Sequence, residues 1–157
     1  MNKIGAFLIG NVTGIIIVAI ALMVYAPSIM ILENDSKLGF QETVESIKTS
    51  AAAKGWKTPV AHELHEAVKK AGFEVKPATV IELCQPKHAG KILSRDENRI
   101  VTSLMPCRVS VYETSDGKVV ISRMNSGLVS KLFGGEIATV MADASQETEE
   151  ILAQTIK

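Results

Sequence analysis

Aromatic side chains are scarce, at 4% of residues with a single Trp, and net charge is absent: 17 basic side chains balance 17 acidic ones. Without a basic excess or stripe the chain has no electrostatic footprint for a phosphate backbone, which argues against nucleic acid as a main partner. Cysteine is limited to two residues, too few for a disulfide-stapled scaffold. They form no C-x-x-C pair, so a thioredoxin-like motif is missing. The C-x-x-C-H signature that would attach a c-type haem is missing too. There is no Gly-rich phosphate loop and no G-x-S-x-G elbow, and Gly134-Gly135 reads as a hinge or helix break. No motif assigns a reaction, and the sequence leans away from an enzyme. What remains is 46% hydrophobic and 22% charged over 157 residues, a composition for one modest folded domain rather than a disordered chain.

The average charge hides a segregation. Residues 4–32 carry no charge, and every acidic residue lies beyond them. A helix rises about 1.5 Å per residue, so roughly 20 residues cross the hydrocarbon core. Residues 4–25 (IGAFLIGNVTGIIIVAIALMVY) suffice, and they are the segment expected to contact the lipid bilayer. Pro27 is the expected helix end. A signal peptide cut after Ala26 is the alternative. It is disfavoured by the proline after the cut and by an apolar run longer than the usual core. Lys3 lies on the short side of the segment and Glu33 and Asp35 on the other. The positive-inside rule then puts residues 1–3 in the cytoplasm and residues 33–157 outside it. The expected organisation is a transmembrane anchor over residues 1–32 and an exported domain over 33–157. That is a single-pass protein of the inner (plasma) membrane, joined to its domain by a short connection at residues 33–39.

Within the exported part, Phe40, Val44, Ile47 and Ala51 share one helical face. Gly55 is placed to stop that helix, with Trp56 folding back on it. Leu64, Ala67, Val68 and Ala71 predict a second amphipathic helix, closed by Gly72 and Phe73. Residues 79–84 (TVIELC) read as a strand, and Pro86 suits the first turn of a helix whose apolar face is Ala89, Ile92 and Leu93. Residues 108–114 and 118–124 flank Ser115-Asp116-Gly117, a hairpin signal. Ile137, Val140, Met141, Ala144, Ile151 and Leu152 mark a long C-terminal helix. Strands and helices mix without strict alternation, so the expected class is α+β, a single compact domain with helices packed on a mainly antiparallel sheet.

Cys84 ends a strand just ahead of a helix N-terminus, where the dipole favours a thiolate; the plainer reading is a small buried residue beside the sheet. Cys107 opens the hairpin. Whether the two form a disulfide, two thiols or a redox pair is open at this level. His88 lies four residues after Cys84. His62 and His65 stand three apart in HELHE (62–66), a spacing that can share a metal on a helix but is one residue short of H-E-x-x-H. With Glu66 they make the weakest reading, a metalloenzyme, and a solvated helical face is the simpler account. Met105, Met124 and Met141 read as core fillers.

Residues 40–48 (FQETVESIK), 81–93 (IELCQPKHAGKIL), 104–113 (LMPCRVSVYE) and 121–135 (ISRMNSGLVSKLFGG) together resemble the bacterial family called domain of unknown function 302. The Cys-x-Pro-x-x-Ala element at 84–89 and Pro-Cys-Arg at 106–108 are the most specific marks. The likeness spans about residues 36–155. It implies a compact α+β domain that commonly forms a homodimer, and no settled enzyme activity. For some members it also implies haem (haem b), with matching positions at Cys84, Cys107 and His62 or His88. Two functional readings follow. The first is a membrane-anchored ligand-binding or redox accessory module of the cell envelope, with a small-molecule ligand near Cys84 and Cys107. The second is a homodimeric interaction module without cofactor.

Overall fold

The computed structural model describes the backbone of residues 3–157 and the side chains of residues 11–157. Met1 and Asn2, part of the arm assigned to the cytoplasm, lie outside the described residues. Helix α1 (Lys3–Met30) contains one stretch long and apolar enough to cross a membrane, Asn11–Met30, with a mean hydropathy of 2.3 and no residue buried against the rest of the chain. The expected stop at Pro27 is corrected: the helix runs through it to Met30. Proline withholds the N–H that would reach the Met23 carbonyl, a single bond of the ladder that a long helix survives. Beside it, Ser28 Oγ donates to the Tyr25 carbonyl at 2.9 Å.

The expected connection at residues 33–39 is corrected as well. Strand β1 (Ile31–Asp35) follows α1 at once, and Ser36 is bridged to Ile156. Ile31, Glu33 and Asp35 face outward while Leu32 and Asn34 are half-buried. The period-2 pattern was legible there, but the charges made it read as a linker.

Helix α2 (Phe40–Ala53) buries Thr43, Val44, Ile47 and Ala51. Gly55 takes φ +76°, a left-handed value that suits glycine, and the Trp56 N–H returns to the Ala51 carbonyl at 2.9 Å. Trp56 is thereby turned into the core, 3% exposed. Strand β2 (Ala61–Glu63) and helix α3 (Leu64–Lys70) follow. The expected burial of α3 is corrected: no residue of it is buried, and Leu64, Val68 and Phe73 stay exposed. Its seven residues touch the fold mainly along strand β3 (Ala78–Leu83).

Helix α4 (Pro86–Leu93) starts with proline in its first turn, and the Gln85 side chain accepts from the Lys87 N–H. A 3-10 run (Asp96–Leu104) leads to strand β4 (Cys107–Glu113) and its hairpin partner β5 (Val119–Met124). Between the two, Gly117 takes φ +82° and Thr114 N–H donates to the Lys118 carbonyl. Short helix α5 (Ser126–Val129), a 3-10 turn (Ser130–Leu132) and helix α6 (Gly135–Leu152) complete the chain.

The five strands form one sheet in the order β1-β5-β4-β3-β2, antiparallel throughout. Helices α2 and α6 cover one face. There Ile81, Leu83, Val109, Val111 and Ile121 meet Val44, Ile47, Ala144, Ile151 and Leu152. A second apolar cluster joins Ile92 of α4, Val101 of the 3-10 run, and Ile137 and Val140 of α6. The gap between the two clusters is where the site lies.

Candidate functional site

Two features of the chain converge at one end of the sheet. The last residue of β3, Leu83, pairs with the first of β4, Cys107. Pairing puts both side chains on the same face, the one covered by helices. Cys84, one residue further, is bridged to Lys57 by reciprocal backbone bonds of 2.8 Å. Helix α4 then starts and lays His88 and Ile92, one turn apart, against α6. A cavity of about 60 Å³ is left between these pieces. Trp56, Leu83, Ala89, Ile92, Leu104, Val140 and Ala144 supply much of its apolar lining, and Cys84, Cys107, Met105, Met124 and Met141 line it with sulfur.

The buried polar ring of this wall is His88, with Gln85 and Ser126 also lining it. His88 is 8% exposed. Its Nε2 lies 2.9 Å from Glu147 Oε1, while the Trp56 indole N–H donates to Glu147 Oε2 at 2.8 Å. One carboxylate of α6 thus orients both rings, whose centroids are 6.0 Å apart. Burial pushes the Glu147 carboxyl up, but the hydrogen bonds from His88 and Trp56 and the charge of His88 outweigh it, and the net shift is downward. His88 Nδ1 is buried with no hydrogen-bond partner. An orphaned buried polar atom costs about 1–3 kcal/mol. Native interiors rarely leave one without a reason.

Both cysteines are free and half-buried. Burial raises the Cys107 thiol above its ordinary value, and the charge of nearby Cys84 raises it further, against a smaller opposing backbone hydrogen bond. A thiol held protonated is a poor nucleophile.

A second, wetter cleft of about 250 Å³ adjoins the cavity and shares Leu104, Pro106, Cys107, Met124 and Ser126 with it. Its remaining wall is polar: Ser103, Arg108, Ser145, Thr148, and the pair Arg123 and Glu149. Arg123, 7% exposed, donates through Nε to Glu149 Oε1 at 2.8 Å and through Nη1 to Asn34 Oδ1 at 2.7 Å; its Nη2 reaches Glu149 Oε2. Its charge is committed to that clamp. Arg108 remains as the exposed cation of the cleft, with a 3.8 Å approach to Glu82.

Of the four residues singled out in the sequence, Cys84, His88 and Cys107 line one cavity, and His62 does not. His62 lies on β2, paired with Val80, on the sheet face opposite Ile81 and Leu83. Its Nε2 contacts Glu82 Oε1 at 3.2 Å and its side chain is 47% exposed. The helical His62–His65 pair is corrected, because the helix begins only at Leu64. His65 Nδ1 instead lies 2.9 Å from the Ala78 carbonyl oxygen, and its ring stands edge-on to Phe40. Among the described residues no three of His, Cys, Asp and Glu converge as a metal site. Haem does not fit the inner cavity, whose volume of about 60 Å³ is far below the roughly 300–1,000 Å³ of sites for drug-sized ligands, and no cation lines it to meet propionates.

Sequence reasoning placed Trp56 against its helix but not in the site, and it missed Glu147. A signal was there for the second: Val140, Ala144, Glu147 and Ile151 recur at helical spacing, so Glu147 is a carboxylate inside the apolar stripe of α6.

The architecture, helices on one five-stranded antiparallel sheet, defines an α+β domain. The family model described as "Domain of unknown function DUF302" matches residues 32–155, and the chain belongs to that family. Among solved structures, the chain is similar to the crystal structure of the uncharacterized conserved protein DUF302 from Bacillus stearothermophilus. The TM-score is 0.72 at 21% identity, covering 81% of this chain and 98% of that one. That likeness shows the fold. No curated protein matches the sequence.

Proposed function

We propose that this chain is a membrane-tethered ligand-binding module of the cell envelope. Its N-terminus is cytoplasmic, its domain lies outside the inner membrane, and its site is the cavity beside Cys84, His88 and Cys107. The observation that carries the reading is the buried, unpartnered Nδ1 of His88 in a wall that is apolar and sulfur-rich apart from Gln85 and Ser126. A resident ligand would satisfy that atom once the lining side chains part to expose it. The chemistry that suits both compartments is a compact amphiphile. Its short apolar end fits the inner cavity, and its polar or anionic head fits the cleft of hydroxyls and Arg108. The redox alternative is less favoured, because Cys107 is held as a protonated thiol.

The chain has three histidines, so selective imidazole labelling reads the site directly. Titrating short-chain fatty acids and the matching alcohols into the detergent-solubilised protein should move the His88 ring resonances and leave those of His62 unmoved. Ala144→Val, which fills the cavity, should abolish the response. Unmoved His88 resonances across both series would overturn the ligand reading. Topology is tested separately. A reporter fused after Lys157 that is active only outside the cytosol is expected, and activity only inside would overturn the exported placement.

A further inference from the structure

The end of α1 is held by the domain, and the part that holds it is unusually apolar. Asn125 N–H donates to the Met30 carbonyl at 2.7 Å, and Asn125 Nδ2 donates to the Ile29 carbonyl at 3.1 Å. The register of β1 on β5 puts Ile31 opposite Met124, so the chain leaving β5 is pinned beside the chain leaving α1. From there α5 packs against α1. The following turn presents Leu132 at 82% exposure and Phe133 at 41%, with Lys131 exposed between α5 and them. No acidic residue occurs from 117 to 135.

These facts fix a depth. Residues 4–30 of α1 are uncharged and make about 40 Å of helix, close to the hydrocarbon core plus its two interfaces. If that stretch spans, Met30 lies in the outer interfacial region, and residues hydrogen-bonded to it lie at the same level. Exposed large apolar side chains next to a lysine are the composition of segments that rest in the headgroup–acyl boundary. Trapped in water, Leu132 and Phe133 would have no such use.

We propose that the 126–133 segment is a second membrane contact. It seats Leu132 and Phe133 in the outer boundary of the bilayer that α1 crosses, so that the domain is held at a fixed tilt rather than swinging on one helix. This rests on the anchor reading above and is independent of the cavity. A second exposed apolar group, Leu64, Val68 and Phe73, lies beside β3 near the β2 edge of the sheet, away from β1. It serves as the internal comparison.

The test uses the full chain in nanodiscs of phosphatidylcholine with brominated acyl chains, which quench indole on contact. Wild type carries one tryptophan, buried Trp56, as background. Three variants each add one indole at an exposed position: Leu132→Trp, Phe73→Trp and Tyr25→Trp, the last as the depth marker within the span. The expected result is that the Leu132→Trp variant loses emission about as strongly as Tyr25→Trp, with a blue shift, while Phe73→Trp matches wild type. Emission of the Leu132→Trp variant that survives while Tyr25→Trp is quenched would overturn the second contact alone. Quenching of Phe73→Trp in its place would also overturn it, since the domain would then lie on its other edge. An unquenched Tyr25→Trp would remove the anchor reading and this inference together.

Discussion

Glu147 is the residue on which the site's geometry turns, and Glu147→Leu is its sharpest perturbation. The change removes one carboxylate and leaves two donors or acceptors without a partner: the Trp56 indole N–H and His88 Nε2. Trp56 is 3% exposed and His88 8%, so neither is freely re-solvated. Each orphaned group costs about 1–3 kcal/mol. The carboxylate's own side chain is 38% exposed, so water can enter from that side and screen part of the loss. The expected destabilisation is therefore about 2–3 kcal/mol rather than the full sum. Glu147→Gln keeps an acceptor for the indole and should cost about 1 kcal/mol. The assay is urea unfolding followed by Trp56 fluorescence, a probe inside the perturbed cluster. The midpoint should fall with little change in slope. The pH dependence has a definite sign. The folded carboxyl is lowered from its ordinary 4.5. Its stabilisation is present above that ordinary value and is lost as pH falls through the lowered folded one. The gap between wild type and Glu147→Leu should thus be full at neutral pH and narrow in acid. A Leu variant within about 0.5 kcal/mol of wild type, an ordinary surface effect, would refute the bridging role.

Glu149→Leu should leave Arg123 charged and buried against Asn34 alone. Removing one partner of a buried pair costs about 3–5 kcal/mol. The exposure of Glu149, 41%, reduces this to about 2–3 kcal/mol, read as a Tm drop in a thermal melt; an unchanged Tm would show that the clamp holds nothing. In a Cys84→Ser background Cys107 should alkylate with iodoacetamide more slowly than a free thiol at neutral pH and accelerate into the alkaline range, because burial raises its pKa. Mass spectrometry showing free-thiol rates at pH 7 would contradict that.

Much of the sheet was legible because its signals are local. Thr79, Ile81 and Leu83 alternate inward, and Asp116-Gly117 marks the hairpin. Helix α2 was legible for the same reason, down to Gly55 and Trp56. The edges were not. Strand β1 is half charged, and β2 is three residues of a segment whose histidines suggested a helix. Both exist because a neighbouring strand offers unpaired backbone groups, a demand set elsewhere in the chain. Helix α3 shows the converse failure: its apolar periodicity is present, but seven residues at the sheet edge find little to pack against.

The site was legible in its cysteines and only partly in its histidines, for a reason that bears on how it works. Cys84 and Cys107 flank strand ends, so pairing of β3 with β4 brings them to one place without help from the helices. His88 needs α4 to lie on α6, and it needs Glu147 from the far end of the chain to fix its ring. Cys84 and Pro86 just ahead of it mark His88 out in the sequence; what removes His62 is the register of β2, which pairs it with Val80 on the other face. The helix that supplies Glu147 also supplies Glu149 to Arg123, which holds Asn34 of β1. One helix therefore ties the cavity wall to the strand that follows α1.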